Sequence, residues 1–240
     1  MAVTTSRLVA LVAGVAIVGA LGGYAAGRLT EPGPGAGGTP EPMAAAPTVA
    51  SAPPTTPALP KKTPVPDETP ELDRDELSFR SVEFSVTKPP HPPVRVNLQV
   101  PADWKIQRDP AHTDEVRYVD PTGKRWIRIE SGFLIERPPI ESMNILVGNL
   151  RSSQPFENDL RLLSQTHGPL TGRDGDSRNV ATLAYTYIPN QTVRSVLVRW
   201  IGFGAPGDVA VEMSVTGLPQ DDPALREVLE RASTSVLRFD

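Results

Sequence analysis

The sequence predicts an α+β domain: a mainly antiparallel sheet with helices packed on it, preceded by one apolar helix and a disordered linker. Three observations predict it. Period-2 alternation of apolar and polar residues recurs in short stretches separated by turn residues. Two other stretches carry apolar residues at helical spacing. About a dozen of the 27 prolines crowd into residues 31–77, which leaves residues 78–240 as one globular domain. A domain of that size buries most of its apolar surface without covalent staples.

Residues 8–27 (LVALVAGVAIVGALGGYAAG) carry no charge and are bracketed by Arg7 and Arg28. A bilayer core needs about 20 helical residues, and a helix satisfies its own backbone polar groups there. Residues 1–7 then form a cytoplasmic stub, because Arg7 and the amino terminus are retained inside. A cleaved signal sequence is the second reading, with small residues at Gly23 and Ala25 around Tyr24 for the peptidase. Both readings export residues 78–240. With no cysteine in the chain, a lipid-modified lipoprotein is excluded, as is cysteine-based zinc or thiol chemistry. Gly19, Gly23 and Gly27 repeat a G-x-x-x-G spacing. That spacing suits close helix–helix packing in a membrane, and it also arises by chance in a Gly/Ala-rich segment.

Residues 28–77 read as a Pro-rich disordered linker, too poor in branched and aromatic residues to offset their ordering entropy. Prolines stiffen such a segment toward extended geometry.

The domain follows in order. Residues 82–86 alternate and predict a short strand, and Pro89, Pro90, Pro92 and Pro93 force an irregular connection after it. Val94, Val96, Leu98 and Val100 predict one buried face of the next strand, with Trp104 and Ile106 continuing apolar contacts. Residues 116–119 and 124–130 flank Asp120-Pro121-Thr122-Gly123 and predict a hairpin, its return strand extended by residues 132–135. Pro138-Pro139 opens a helix lined by Ile140, Met143, Val147 and Leu150. Residues 157–163 read equally as a helix end or a strand start. Gly168, Gly172 and Gly175 read as turn markers. Residues 180–188, 193–203 and 209–216 predict three strands, the middle one central. Asp221, Asp222 and Pro223 cap a last helix with Leu225, Val228, Leu229, Ala232 and Val236 inside. Pairs Arg226–Glu230 and Glu227–Arg231 are expected on its outer face.

The pattern Val100-Pro101-Ala102-Asp103-Trp104, then residues 116–123 and Trp126-Ile127-Arg128-Ile129, resembles an actinobacterial extracytoplasmic domain of the PsbP-like fold group. Residues 184–187, the strand at 193–203 and a closing helix running into residues 236–239 fit the same order. Such domains are similar to the sensor-like C-terminal domains of receptor Ser/Thr protein kinases and to LpqN-type exported proteins. The resemblance implies a PsbP-like α/β/α sandwich and a non-catalytic module of sensing or binding type. None of the kinase motifs is present, so kinase activity is not implied.

Residues 78–240 hold 19 basic and 20 acidic side chains. There is no Lys/Arg block to follow a phosphate backbone, so nucleic acid is not expected as a partner. His91, His112 and His167 are far apart in sequence, without the short spacings of a metal site. There is no G-x-S-x-G elbow or S-x-x-K pair for a serine hydrolase. Glu130 and Glu136 flank one strand as a conceivable glycosidase pair, and scattered surface acids explain them equally. Residues 174–179 lack the ligand order of a calcium loop and read as a polar turn. No cofactor or metal is expected. Trp126, with Arg125 and Arg128 beside it, has the composition of a partner-binding surface, and core packing is the alternative reading, the one burial statistics favour. The expected function is a membrane-anchored extracytoplasmic binding or sensory module engaging an envelope protein or wall component. The alternatives are an exported wall hydrolase, or a structural partner in a membrane complex through the glycine face.

Overall fold

The computed structural model describes residues 60–239 except 91, 134, 135, 205 and 206. The apolar stretch 8–27, with Gly19, Gly23 and Gly27, lies outside the described residues. Among those described, no helix is long and apolar enough to cross a membrane.

Ten strands and two α-helices follow in the order β1 (Phe79–Val86), β2 (Val94–Pro101), β3 (Lys105–Gln107), β4 (Glu115–Val119), β5 (Trp126–Ser131), α1 (Pro139–Ser153), β6 (Arg161–Thr171), β7 (Ser177–Tyr187), β8 (Arg194–Gly202), β9 (Val209–Gly217), α2 (Asp222–Ser235) and β10 (Leu237–Phe239) among the described residues. They form a small sheet ordered β1-β2-β10 and a large sheet ordered β3-β4-β5-β9-β8-β7-β6. All pairings are antiparallel. The α+β class with an antiparallel sheet and packed helices is what the sequence predicts.

One face of the large sheet buries Tyr118, Ile127, Ile129, Met213 and Val215 against the small sheet and the inner face of α2. Val94, Val96, Leu98 and Val100 all point into this core, as their alternation requires. On α2, Leu225, Val228 and Leu229 are buried, each contributing about 1.5–3 kcal/mol of apolar transfer. The opposite face buries Leu183, Tyr185, Val198 and Trp200 of β7 and β8 under Met143, Val147 and Leu150 of α1. β8 is covered on both sides, which is why its sequence reads as a nearly continuous apolar run.

Several expectations are corrected. β5 ends at Ser131, because Gly132 takes φ +79° and turns the chain away. Ile106 sits on the short edge strand β3 and is 46% exposed, whereas Trp104 is buried. Residues 157–163 divide into a 3-10 turn, Phe156–Asn158, and the start of β6. Gly168 lies within β6, an edge strand exposed along most of its length. The last helix stops at Ser235, and Leu237–Phe239 pair with β2. Glu227 and Arg231 pair at 2.6 Å as expected, but Arg226 turns back to Asp222 at 2.7 Å and Glu230 bonds Arg199 of β8 at 2.8 Å.

Residues 60–77, assigned to the linker by composition, run as an extended strap fixed to the domain. Leu72 and Leu77 pack on the core. Lys62 N donates to Glu157 O, Val65 N to Gln191 O and Leu72 N to Asp221 Oδ1. The strap gains order from donors and acceptors that the folded domain presents, which composition does not reveal.

Candidate functional site

β5 sorts its side chains by parity. Ile127, Ile129 and Ser131 are buried, while Trp126, Arg128 and Glu130 project half-buried onto the other face. Registers with β4 and β9 place Glu115, Glu130 and Glu212 side by side across three strands, with Trp200 of β8 next in the row. Arg117, Arg128 and Ser214 form the neighbouring row. α1 lies over β7 and β8, at one side of this face. Toward β4, β5 and β9 the face carries these polar side chains.

Arg128 organises them. Its Nη1 donates to Glu115 Oε2 at 2.8 Å and Glu130 Oε2 at 3.1 Å, and its Nη2 donates to Glu212 Oε1. The other Glu212 oxygen accepts from Trp200 Nε1 at 2.6 Å. Lys88, from the connection after β1, reaches Glu130 at 3.2 Å and Asp114 at 2.7 Å. Burial and the neighbouring Glu212 charge push the Glu130 carboxyl up, against the pull of Arg128 and Lys88. Burial opposes the charge on Arg128, yet Glu212, Glu130 and Glu115 outweigh it and raise its pKa far above the ordinary arginine value. At the rim, the guanidinium carbons of Arg117 and Arg194 lie 6.0 and 5.8 Å from the Trp126 ring centroid.

Arg125 does not share this face. It is 3% exposed and clasped on the other side. Nε and Nη2 donate to Asp221 at 2.7 and 2.8 Å, Nη1 donates to Asp120 at 3.2 Å, and Nη2 also reaches the Pro70 carbonyl of the strap. Asp221 further accepts from the Leu218 and Leu72 amides. Burial acts against the charge of Arg125, but hydrogen bonds and charges from Asp221 and Asp120 raise its pKa above the usual value. Trp126 and Arg128 are thus brought together, and Arg125 is a cross-brace of the fold. Period-2 alternation already groups Arg125 with Ile127 and Ile129. Glu115, Glu212 and Trp200 join the cluster through strand register, which has no local signal.

Of the other candidates, Glu130 is bonded within the Arg128 cluster, and Glu136 is exposed in the connection before α1. His112 lies in a turn, His167 lies on β6, and His91 is outside the described residues. No group of three His, Asp or Glu side chains able to hold a metal occurs among the described residues. Of residues 174–179, read as one polar turn, only 174–176 lie in the turn and 177–179 open β7, where Arg178 pairs with Asp174 and lies 4.6 Å over the Phe203 ring. Gly202 is required beside it, because a Cβ there would come within 2.1 Å of the Gly207 carbonyl oxygen.

No protein-family model matches the chain, and no curated protein matches it. Several solved structures are similar to it, two of which follow. One is LpqN, involved in cell envelope biogenesis of Mycobacterium tuberculosis, at a TM-score of 0.39 and 13% identity over 70% of this chain and 95% of that one. The other is the Ran-binding protein Mog1p of Saccharomyces cerevisiae, at a TM-score of 0.43 and 12% identity over 68% of this chain and 96% of that one.

Proposed function

We propose that the chain is a non-catalytic binding module of the cell envelope. Residues 8–27 hold it to the membrane, or direct its export, and residues 78–240 face outward. It engages an envelope protein or wall component through the open half of the large sheet. The observation that carries the reading is the rim of that face, where Trp126 stands half-buried between Arg117 and Arg194. An aromatic ring with guanidinium groups is the composition of binding hot spots, and it suits a partner presenting carboxylates. The carboxylates behind it support binding over hydrolysis. Glu115, Glu130 and Glu212 are each bonded to Arg128, so none is left as a free acid–base pair.

The test is capture of envelope components by the purified full chain and by its Trp126→Ala and Arg117→Glu variants. The proposal expects a component retained by the natural chain and lost with either variant. Equal retention by all three chains overturns the assignment of the face. Protease added to intact cells checks the topology, since a protected domain contradicts outward exposure.

A further inference from the structure

The strap and the turn after α1 meet through two consecutive lysines. Lys61 Nζ lies 2.5 Å from Asp159 Oδ1 and 5.6 Å from the centroid of the Phe156 ring. Lys62 Nζ donates to Asn158 Oδ1 at 2.5 Å and to the Pro189 carbonyl at 2.8 Å. The Ile188 carbonyl lies at 3.4 Å and the Glu157 carboxylate at 3.7 Å. Main-chain bonds from the Lys62 amide to Glu157 O and from the Val65 amide to Gln191 O run the peptide from this turn to the connection between β7 and β8.

The receiving turn has features that packing alone does not require. Phe156 is 55% exposed, so its ring face is open to a cation, and the Lys61 ammonium lies over it. Asp159 adopts φ +45°, a left-handed backbone that a non-glycine residue enters at a cost. That conformation follows Asn158 directly, and the two side chains take one lysine each. The Asp159 carboxyl is held below its usual pKa by the Lys61 hydrogen bond and then by Arg161.

The two halves of the strap are also held differently. Residues 67–77 are anchored in the domain through Pro70, Leu72 and Leu77. Residues 60–66 are fastened by the two lysines and two backbone bonds at the surface. Release of the first half would leave Leu72 and Leu77 packed on the core. Pro60, Pro64 and Pro66 keep a detached segment extended, so little entropy opposes its docking.

We propose that Phe156, Glu157, Asn158 and Asp159, with the carbonyls of Ile188 and Pro189, form a receptor for two consecutive lysines in an extended, proline-flanked peptide. Lys61 and Lys62 fill it in cis. A partner protein's dibasic segment of the same chemistry takes it when the first half of the strap lifts. Phe156 and Asp159 receive the first ammonium group, and the amide and carbonyl cage receives the second.

The experiment uses the full chain and its Lys61→Ala/Lys62→Ala variant. Hydrogen exchange at the Lys62 and Val65 amides is expected to quicken by about tenfold or more in the variant, as local opening becomes easier. A labelled nine-residue peptide, PKKTPVPDE, is expected to bind the variant at least about tenfold more tightly than the natural chain, whose site is filled. Binding should weaken with salt and vanish when both peptide lysines are acetylated. Adding Asn158→Ala, or separately Asp159→Asn, to the variant should remove it again while α1 and the sheet stay intact by circular dichroism. Unchanged amide exchange overturns the cis latch. Absence of peptide binding to the variant, or equal binding of the acetylated peptide, overturns the receptor.

Discussion

Arg125 and Arg128 are three residues apart, and each is ringed by carboxylates, yet they do different work. Arg125 is almost wholly buried and ties together segments far apart in sequence: the strap at Pro70, the hairpin turn at Asp120 and the start of α2 at Asp221. Arg128 is 21% exposed at its side chain and ties three adjacent strands across one sheet face. Burial and the distance spanned, more than the number of partners, decide what each ion centre is worth.

The comparison is broken most directly at Arg125. Arg125→Met should destabilise the fold by about 3–5 kcal/mol in urea unfolding, because Asp221 and Asp120 stay buried without their partner. A loss below 1 kcal/mol would put the two centres in the same class. Arg128→Ala should cost less, about 1–3 kcal/mol at pH 7. It leaves three carboxylates side by side and removes the guanidinium that pulls the Glu130 carboxyl down against burial and the Glu212 charge. The penalty applies while Glu130 is charged and should shrink as pH falls through its raised pKa, read from urea midpoints at neutral and mildly acidic pH.

Asp67 gives a third, smaller effect within the strap. Thr69 hydrogen bonds, and then Lys124, hold its carboxyl down at about 2. Its contribution is present above the ordinary value of 3.8 and is lost as pH falls from there toward 2. The Thr69 amide should exchange faster across that window in the natural chain, and Asp67→Asn should flatten the dependence. The smallest effect is expected on the outer face of α2, where Arg226→Ala should cost only about 0.3–0.5 kcal/mol in the same unfolding assay.

What was legible in the sequence is what local chemistry controls. Strict alternation gave β2 its buried face, Asp120 and Gly123 gave the hairpin turn, and helical spacing gave α1 and the inner face of α2. β6 was not legible, because an exposed edge strand containing Gly168 and Pro169 has no apolar face to alternate. The strap was not legible either, since its order is supplied by Asp221, Glu157 and Gln191, far along the chain. Half of the candidate site could be read. Trp126 and Arg128 share a parity, while Glu115, Glu212 and Trp200 arrive only once the strands are in register. The rivalry between Glu230 and Asp222 for Arg226 is decided by Arg199, which reaches Glu230 from β8.

The strap also fixes an order of events during synthesis. Its residues leave the ribosome ahead of the domain, but the amide of Leu72 has no acceptor until Asp221 has been made, 149 positions later. Contacts that distant close late and slowly. The first part of the domain to be translated is therefore among the last to be seated, and until then Arg125 waits for both Asp221 oxygens.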